Sequence, residues 1–177
     1  MVSVEPTTAE VWAWLAEVED PEIPVISIVD LGIVREVAWA DEGDRRECVV
    51  TITPTYSGCP ATHVIADSVK TALRDRGVEH VRLESRIAPP WTTDWMSEDG
   101  RRKLRAYGIA PPIGSAAEQF IRPEDIGRGR VCAAPGVQCP NCDSTDVALT
   151  SQFGSTPCKA LYRCRSCLEP FDLFKCH

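Results

Sequence analysis

The sequence has no apolar run long enough to cross a membrane and no excess of positive charge. A transmembrane helix needs about 20 mostly apolar residues, and the polar, acidic opening MVSVEPTTAEVW is unlike a secretory signal. The formal net charge is −7, from 19 basic and 26 acidic residues, so the chain creates no field that would attract phosphate backbones or an anionic membrane. We therefore expect a cytoplasmic protein that binds neither nucleic acid nor membrane.

Fingerprints of nucleotide-binding proteins and of common enzymes are missing as well. The sequence contains no Rossmann or P-loop glycine pattern and no internal repeat. His63 stands one helical turn after Cys59 and could act as a base for that thiol, but no third group that would orient the pair is evident. We therefore expect no catalytic activity from this chain alone.

Cysteine, by contrast, is abundant and unevenly distributed. Seven of the nine cysteines lie at or after Cys132. They include two CxxC pairs, Cys139/Cys142 and Cys164/Cys167, which 21 residues separate. That interval is long enough for one hairpin that brings the pairs together, and four thiolates in such a spacing are typical of a tetrahedral zinc site. Residues 131–177 are therefore predicted to form a four-cysteine zinc ribbon that folds only with its metal.

Disulfides and iron are the alternatives to zinc at these four cysteines. A reducing cytoplasm disfavours disulfides. Four thiolates also bind rubredoxin-type iron or a cluster, although Asp143 and Leu168 follow the pairs at positions where rubredoxin-like knuckles usually have glycine. The sequence therefore predicts a metal and leaves iron open beside zinc.

Four further residues with ligand chemistry have no assigned partner: Cys132, Cys158, Cys176 and the terminal His177. Free cysteine is among the most buried residue types. We therefore interpret Cys158 and Cys176 as small buried residues on ribbon strands 159–163 and 171–175. The alternative is a second ligand set.

The first ninety residues show an α-β-β-α-β pattern. The predicted elements are a helix from the capping box of Thr7 and Glu10 to about Glu19, strands 33–40 and 47–53, helix 61–76 and strand 80–87. This order predicts an α+β domain at 1–90, with helices on one side of a small mixed sheet. Residues 91–130 are predicted to be a helical excursion, with a helix at about 97–107, and a linker. Trp91 and Trp95 are interpreted as packing anchors.

The loop before the second helix carries the one other noteworthy thiol. Gly58 permits unusual backbone geometry, and Pro60 fits a first helical turn, so Cys59 is expected beside a helix N-terminus that would favour its thiolate. It is either a reactive or ligating thiolate or an inert buried side chain. Cys48, in the middle of a strand, is interpreted as a packing residue.

Asp20 and Glu22 invite a second functional interpretation, as a pair of carboxylates. On the sequence alone we favour a simpler one, in which Asp20 accepts hydrogen bonds from nearby backbone N–H groups in a turn.

Three of these motifs resemble those of the SufT-like iron–sulfur assembly domain. They are Asp20-Pro21-Glu22, Asp30-Leu31-Gly32 and the stretch from Thr55 through Cys59-Pro60. The segments 89–112 and 153–177 are similar, nearly from end to end, to the accessory subunits of bacterial phenylacetyl-CoA epoxidase systems. Those subunits join such a domain to a cysteine-rich tail.

The resemblance implies an accessory role in aerobic phenylacetate degradation rather than catalysis. Such a protein would help to supply iron or an iron–sulfur cluster to the oxygenase or the reductase, its expected partners, and a homodimer is possible. By the same resemblance, Cys59 corresponds to the reactive cysteine, which would hold transient iron or a cluster. Asp20 and Glu22 correspond to the acidic turn and Thr55 to the start of the cysteine loop. The metal knuckles correspond to Cys139, Cys142, Cys164 and Cys167.

Two functions of other classes stay open. Arg163, Arg165 and Lys175 around the second knuckle would suit a zinc-ribbon nucleic-acid module, although the acidic total argues against it. The CxxC pairs would also suit a thiol oxidoreductase, whose cysteines would exchange disulfides rapidly, whereas metal-bound thiolates resist alkylation until a chelator is added.

Overall fold

The computed structural model describes residues 5–43, 45–56, 58–113 and 136–175. They form two compact units. Unit 1 is drawn from Met1–Trp91 and Trp95–Gly100, and unit 2 from Thr92–Asp94 and Arg101–His177. The domain boundaries expected after residues 90 and 130 stay predictions. No helix among the described residues is long and apolar enough to span a bilayer.

Eleven elements are assigned within the described ranges. They are α1 (Thr8–Leu15), β1 (Val34–Glu42), β2 (Arg45–Ile52), α2 (Ala61–Arg74), β3 (Val81–Ser85), a 3-10 turn (Thr93–Trp95), α3 (Glu98–Ala106), β4 (Ile109–Ala110), β5 (Val147–Ser151), β6 (Lys159–Cys164) and β7 (Pro170–Phe174). The first five follow the predicted α-β-β-α-β order.

Helix α1 begins at the predicted capping box. The Thr7 hydroxyl accepts from the Glu10 backbone N–H, and the Glu10 carboxylate accepts from the Thr7 backbone N–H at 2.8 Å. The helix ends at Leu15, earlier than predicted. After Leu15 the chain tightens into turns with bonds between residues three apart, in which Glu17 N donates to Trp14 O at 3.2 Å and Val18 N donates to Leu15 O at 3.1 Å.

The sheet of unit 1 has the order β1-β2-β3. Strands β1 and β2 are antiparallel, with Val37 opposite Val50, and β2 and β3 are parallel, with Val50 opposite Leu83. Helix α1 contacts α2 and β1, and α2 contacts β3. Their buried faces carry Val11 and Leu15 on α1 and Ile65, Val69 and Leu73 on α2. The predicted α+β fold with a small mixed sheet is confirmed.

The parallel pairing brings the carboxyl ends of β2 and β3 to the same edge of the sheet. Ile52 lies opposite Ser85, and Arg86 N donates to Ile52 O at 2.8 Å. At this edge Thr53 N also donates to Ile33 O at 2.8 Å. We call this end of the sheet, together with the loop 54–60 that leaves it, the thiol edge, because the loop carries Cys59.

Trp91 and residues 95–100, which belong to unit 1, pack against the Asp30-Leu31-Gly32 turn of the same unit. Trp91 is buried, and its indole N–H donates to Leu31 O at 2.9 Å. The Ser97 hydroxyl donates to an Asp30 carboxylate oxygen at 2.8 Å, and Ser97 N donates to Asp30 O at the same distance. The Arg35 guanidinium lies 3.5 Å from the ring centroid of Trp95. Both tryptophans are packing anchors, as predicted.

Unit 2 contains a four-stranded sheet in the order β4-β7-β6-β5. The predicted hairpin between the two CxxC pairs is present as β5 and β6, and β6 pairs with β7 as an antiparallel neighbour. Strand β4, parallel to β7, was not predicted, because two residues carry no periodicity. A cluster of buried residues includes Val137, Tyr162, Phe171 and Leu173. Strand alternation thus buries one side of the sheet and gives this segment a small core beside the four cysteines.

Candidate metal centre and cysteine loop

Four sulfurs of unit 2 meet at one point. The ligand atoms of Cys139, Cys142, Cys164 and Cys167 all lie within 4.8 Å of one another. Cys139 Sγ is 3.7 Å from Cys167 Sγ, and Cys142 Sγ is 3.6 Å from Cys164 Sγ. A tetrahedron of thiolates about 2.3 Å from a central zinc has sulfurs about 3.8 Å apart. The arrangement therefore fits one tetrahedral ion and differs from a disulfide, in which the sulfurs are about 2.05 Å apart.

The two pairs adopt the same backbone turn, although their sequences differ. Cys139 N donates to Ser144 O, and Cys164 N donates to Glu169 O, both at 2.9 Å. The residue after each pair takes a left-handed conformation, with φ of 62° at Asp143 and 69° at Leu168. The turns are joined by a hydrogen bond of 2.7 Å between the hydroxyls of Ser144 and Ser166, which sequence reasoning did not identify. The chain thus forms two matched knuckles that face each other.

The four cysteines lie too close together to be thiolates at the same time without a cation, because their negative charges would repel one another. Backbone N–H donation from Cys167 and Ser166, with the neighbouring thiols, lowers the pKa of Cys164 to about 6. At Cys167 the N–H of Glu169 acts in the same direction, but burial and hydrogen bonds to the other cysteines outweigh it and raise the pKa to about 12. Ionisation of one of these cysteines therefore opposes ionisation of its neighbours. A divalent cation removes this conflict, which supports a metal at the quartet.

Leu168 offers a direct test of knuckle geometry. The left-handed conformation costs about 1–2 kcal/mol for a residue with a side chain, and Leu168 is 62% exposed, so its side chain contributes little burial. We expect Leu168→Gly to stabilise unit 2 by about 0.5–1 kcal/mol, after allowing for the greater freedom of glycine in the unfolded chain. Calorimetric unfolding measures this. Leu168→Ala is the control, since it removes the side chain and keeps the strain; equal stabilities of the two variants would contradict the argument.

The Cys59 loop lies at the thiol edge, between β2 and α2. Cys59 is half-buried. Its N–H donates to Tyr56 O, and its carbonyl accepts from Thr62 N, both at 3.2 Å. Gly58 has a φ of +100°, which favours glycine. Pro60 is the N-cap of α2 and contributes no side-chain cap bond. The predicted placement of Cys59 beside the start of a helix is confirmed.

In the described part of the chain, Cys59 is not a member of any group of three or more residues that could share a metal ion. There, the quartet is the one group of three or more His, Cys, Asp or Glu residues close enough to share an ion. No hydrogen bond joins Cys59 to His63 in that part, so the base interpretation gains no support.

The remaining predicted site residues are Asp20, Glu22 and Thr55. Asp20 is buried, and its Oδ1 accepts from the backbone N–H groups of Glu22 and Ile23, both at 2.9 Å. This is the turn favoured from the sequence. Thr55 is half-buried in the loop. Site roles for Asp20, Glu22 and Thr55 stay predictions.

The remaining cysteines divide into buried and undescribed ones. Cys48 is fully buried, and burial, with a smaller effect of the Glu5 carboxylate, raises the pKa of its thiol to about 11. This confirms the packing interpretation. Cys158 is also buried, as predicted, and its sulfur lies 3.0 Å from the Thr156 hydroxyl. The predictions for Cys132, Cys176 and His177 concern positions outside the described residues.

These features define a class of protein: a small α+β assembly-type domain with one accessible thiol, followed by a four-cysteine metal-binding ribbon. Residues 8–82 match the family model described as iron–sulfur cluster assembly protein. Residues 125–175 match the model described as PaaD zinc beta ribbon domain.

Curated relatives give the particular family. The chain is 47% identical to a protein of Escherichia coli (strain K12) provisionally named as a component of 1,2-phenylacetyl-CoA epoxidase, over 97% of this chain and 94% of that one. It therefore belongs to the PaaD family. Two Fe–S protein maturation auxiliary factors are similar over part of the chain. YitW of Bacillus subtilis (strain 168) is 40% identical over 47% of this chain and 78% of its own length. SufT of Staphylococcus aureus (strain USA300) is 42% identical over 44% and 85%.

The relatives bear on three predictions. The resemblance to SufT-like domains and to epoxidase accessory subunits is confirmed. The names of the relatives describe an epoxidase component and auxiliary factors, which agrees with an accessory protein rather than an enzyme. The ribbon family and the four converging sulfurs support metal binding by the ribbon.

Proposed function

We propose that this chain is an accessory protein that helps to deliver iron or an iron–sulfur cluster to the oxygenase or the reductase of a phenylacetyl-CoA epoxidase system. In this proposal Cys59 takes part in the transfer, and the ribbon serves for docking. The observation that carries it is the division of sulfur between the two units. Four thiols of unit 2 converge as a closed site, while the half-buried Cys59 of unit 1 belongs to no group of three or more potential ligands among the described residues.

A transfer site needs a ligand that binds and releases. A site with four protein ligands holds its ion firmly, whereas a single accessible thiolate can form one sulfur–iron bond while a donor's sulfur–iron bond breaks. No electron changes hands in such an exchange, and the proton leaves Cys59 for the displaced thiolate. Cys59 suits this role because the residue is only half-buried in its loop. Asp20, Glu22 and Thr55 are proposed to shape the surroundings of this loop.

The quartet is proposed to hold a resident zinc ion, with iron as the alternative. Structural zinc sites are closed, four-coordinate and rich in cysteine, as this one is. The ribbon would dock on a partner through its exposed apolar residues, Leu168 and Phe153, which are 62% and 66% exposed. Leu168 also has a strained left-handed backbone conformation. Residues with such strain are often found at functional surfaces.

The proposed setting is the cytoplasm, and the proposed partners are the other epoxidase subunits or the reductase, with a homodimer possible. The contacts of the ribbon do not favour the nucleic-acid alternative. Arg165 pairs with Asp146 at 3.3 Å, Arg163 Nε donates to Leu168 O, and Lys175 Nζ donates to Gln152 O. The three cationic side chains that motivated nucleic-acid binding are thus engaged within the ribbon.

Removing the Cys59 sulfur tests the transfer role. We expect Cys59→Ser to leave the fold and the ribbon metal unchanged while the iron or cluster content of the partner falls several-fold in cells. Elemental analysis of the purified partner measures this. Cys48→Ala is the control, because it removes the other thiol of unit 1, which is buried. Unchanged partner metallation with Cys59→Ser would exclude the transfer role.

A further inference from the structure

Exposed apolar side chains lie at the same end of unit 1 as Cys59. Ile87 is 68% exposed and Val64 is 52% exposed, among the few large apolar residues that the described chain leaves in solvent. Ala88, Pro89 and Pro90, which follow Ile87, are exposed as well. We call Val64 and residues 87–90 the apolar rim.

The topology of the sheet places this rim at the thiol edge. Residue 87 follows directly after Arg86, whose N–H bonds to Ile52 O at the carboxyl end of β2. Val64 lies in the first turn of α2, immediately after the Cys59 loop. Because β2 and β3 are parallel, the loop that leaves β2, the first turn of α2 and the segment that leaves β3 share one edge. Ligand sites of open α/β sheets form at such edges.

The cysteine loop at this edge is uncharged, unlike most of the chain. The loop 54–60 carries no charged residue, in a chain of net charge −7. The flanking side chains include the exposed Arg86 and His63, and Arg86 is paired with Glu36 at 3.2 Å. The start of α2 adds the partial positive charge of a helix N-terminus. Iron or a cluster held by thiolates is negatively charged, and the uncharged loop with the helix N-terminus beside it would repel such a centre less than the rest of this acidic chain.

We propose that the apolar rim is the docking surface for the protein that exchanges the metal centre with Cys59. This rests on the proposed function. The occupant is a protein that presents a thiolate-ligated iron or iron–sulfur centre surrounded by apolar side chains. Exchange between two sulfurs requires direct contact around Cys59, and apolar side chains there would contribute to binding and exclude water from the exchanging bonds. An anionic membrane is disfavoured by the acidic chain.

Affinity measurements with charge substitutions on the rim test this. The probes are the purified oxygenase and reductase of the same organism's epoxidase system, immobilised with their metal bound, and the full-length chain in solution. We expect Ile87→Glu and Val64→Glu to weaken binding to one of them about tenfold or more, since a buried charge in an apolar contact is unfavourable. Both side chains are exposed, so the fold should be unchanged.

The control is Thr71→Glu. Thr71 is exposed on α2, two turns beyond Val64, and the substitution adds the same charge. We expect it to change affinity less than twofold. Wild-type affinity of the Ile87 and Val64 variants, or no binding of the wild-type chain to either probe, would overturn the docking proposal. So would dissociation of a homodimer by Ile87→Glu in sedimentation experiments, because the occupant would then be a second copy.

The two proposals fail in different ways. If Cys59→Ser lowers partner metallation and the rim variants bind normally, the transfer function stands and the docking surface is wrong. If Cys59→Ser has no effect on metallation, the transfer function is wrong, and the affinities of the rim variants decide separately whether the surface binds a partner.

Discussion

Cys164→Ser is expected to release the metal of unit 2 and to unfold the ribbon. Cys164 is fully buried, and its sulfur accepts from the backbone N–H of Cys167 at 3.4 Å while lying 3.6 Å from Cys142 Sγ. Binding of zinc to such sites contributes about 10–16 kcal/mol to the free energy of folding. Burial of the small core around Tyr162 and Phe171 contributes too little free energy to keep the ribbon folded without it. Metal stoichiometry by native mass spectrometry, with hydrogen exchange of β5 to β7, measures the loss.

Cys158→Ser is the matched control for this experiment. Cys158 is also buried, next to the start of the strand that ends at Cys164, and it lies outside the quartet. We expect this variant to keep one metal ion per chain and to show slow exchange in β6. Retention of metal and of exchange protection by Cys164→Ser would contradict the ribbon assignment. Loss of metal from Cys158→Ser would instead reveal a second ligand set.

The quartet could be predicted from the sequence because its information is local. Each CxxC pair forms its own knuckle, and only one hairpin is needed to join the two, so the spacing between Cys142 and Cys164 was sufficient. The same holds for the capping box of Thr7 and Glu10. The left-handed backbone conformation of Asp143 and Leu168 could not be predicted as readily, because neither residue is glycine, the residue type that usually indicates this conformation.

Contacts between distant segments were not predictable. The indole of Trp91 bonds to a carbonyl 60 residues earlier, at Leu31, and no local pattern in either segment specifies the other. Strand β4 is defined by its pairing with β7, in which Ile109 lies opposite Asp172, 63 residues later in the chain. The surroundings of Cys59 belong to the same class, because the apolar rim beside it results from the parallel pairing of β2 and β3.

Gly32→Ala is expected to have the largest effect of any single substitution in unit 1. Gly32 has a φ of +70°, and a Cβ there would lie 2.5 Å from the backbone oxygen of Trp95 and 2.7 Å from its Cβ. Backbone cannot move aside as a flexible side chain can. The segment that holds Trp95 would have to shift, which would break the bonds between Ser97 and Asp30. We expect a loss of about 3–5 kcal/mol, from the left-handed strain together with the lost packing.

Tryptophan fluorescence during urea unfolding isolates this effect, because all five tryptophans lie in unit 1. Gly77→Ala is the control: Gly77 also has a positive φ, +89°, but a Cβ there meets no atom within 4 Å. That variant should lose only the strain of the left-handed conformation, about 1–2 kcal/mol. Equal losses from the two variants would show that residues 95–100 do not press on the Asp30-Leu31-Gly32 turn. A larger loss at Gly32 would mean that the stability of this turn depends on residues 95–100, which lie beyond the assembly domain. The turn leads directly to Ile33, whose carbonyl accepts from Thr53 N at the thiol edge.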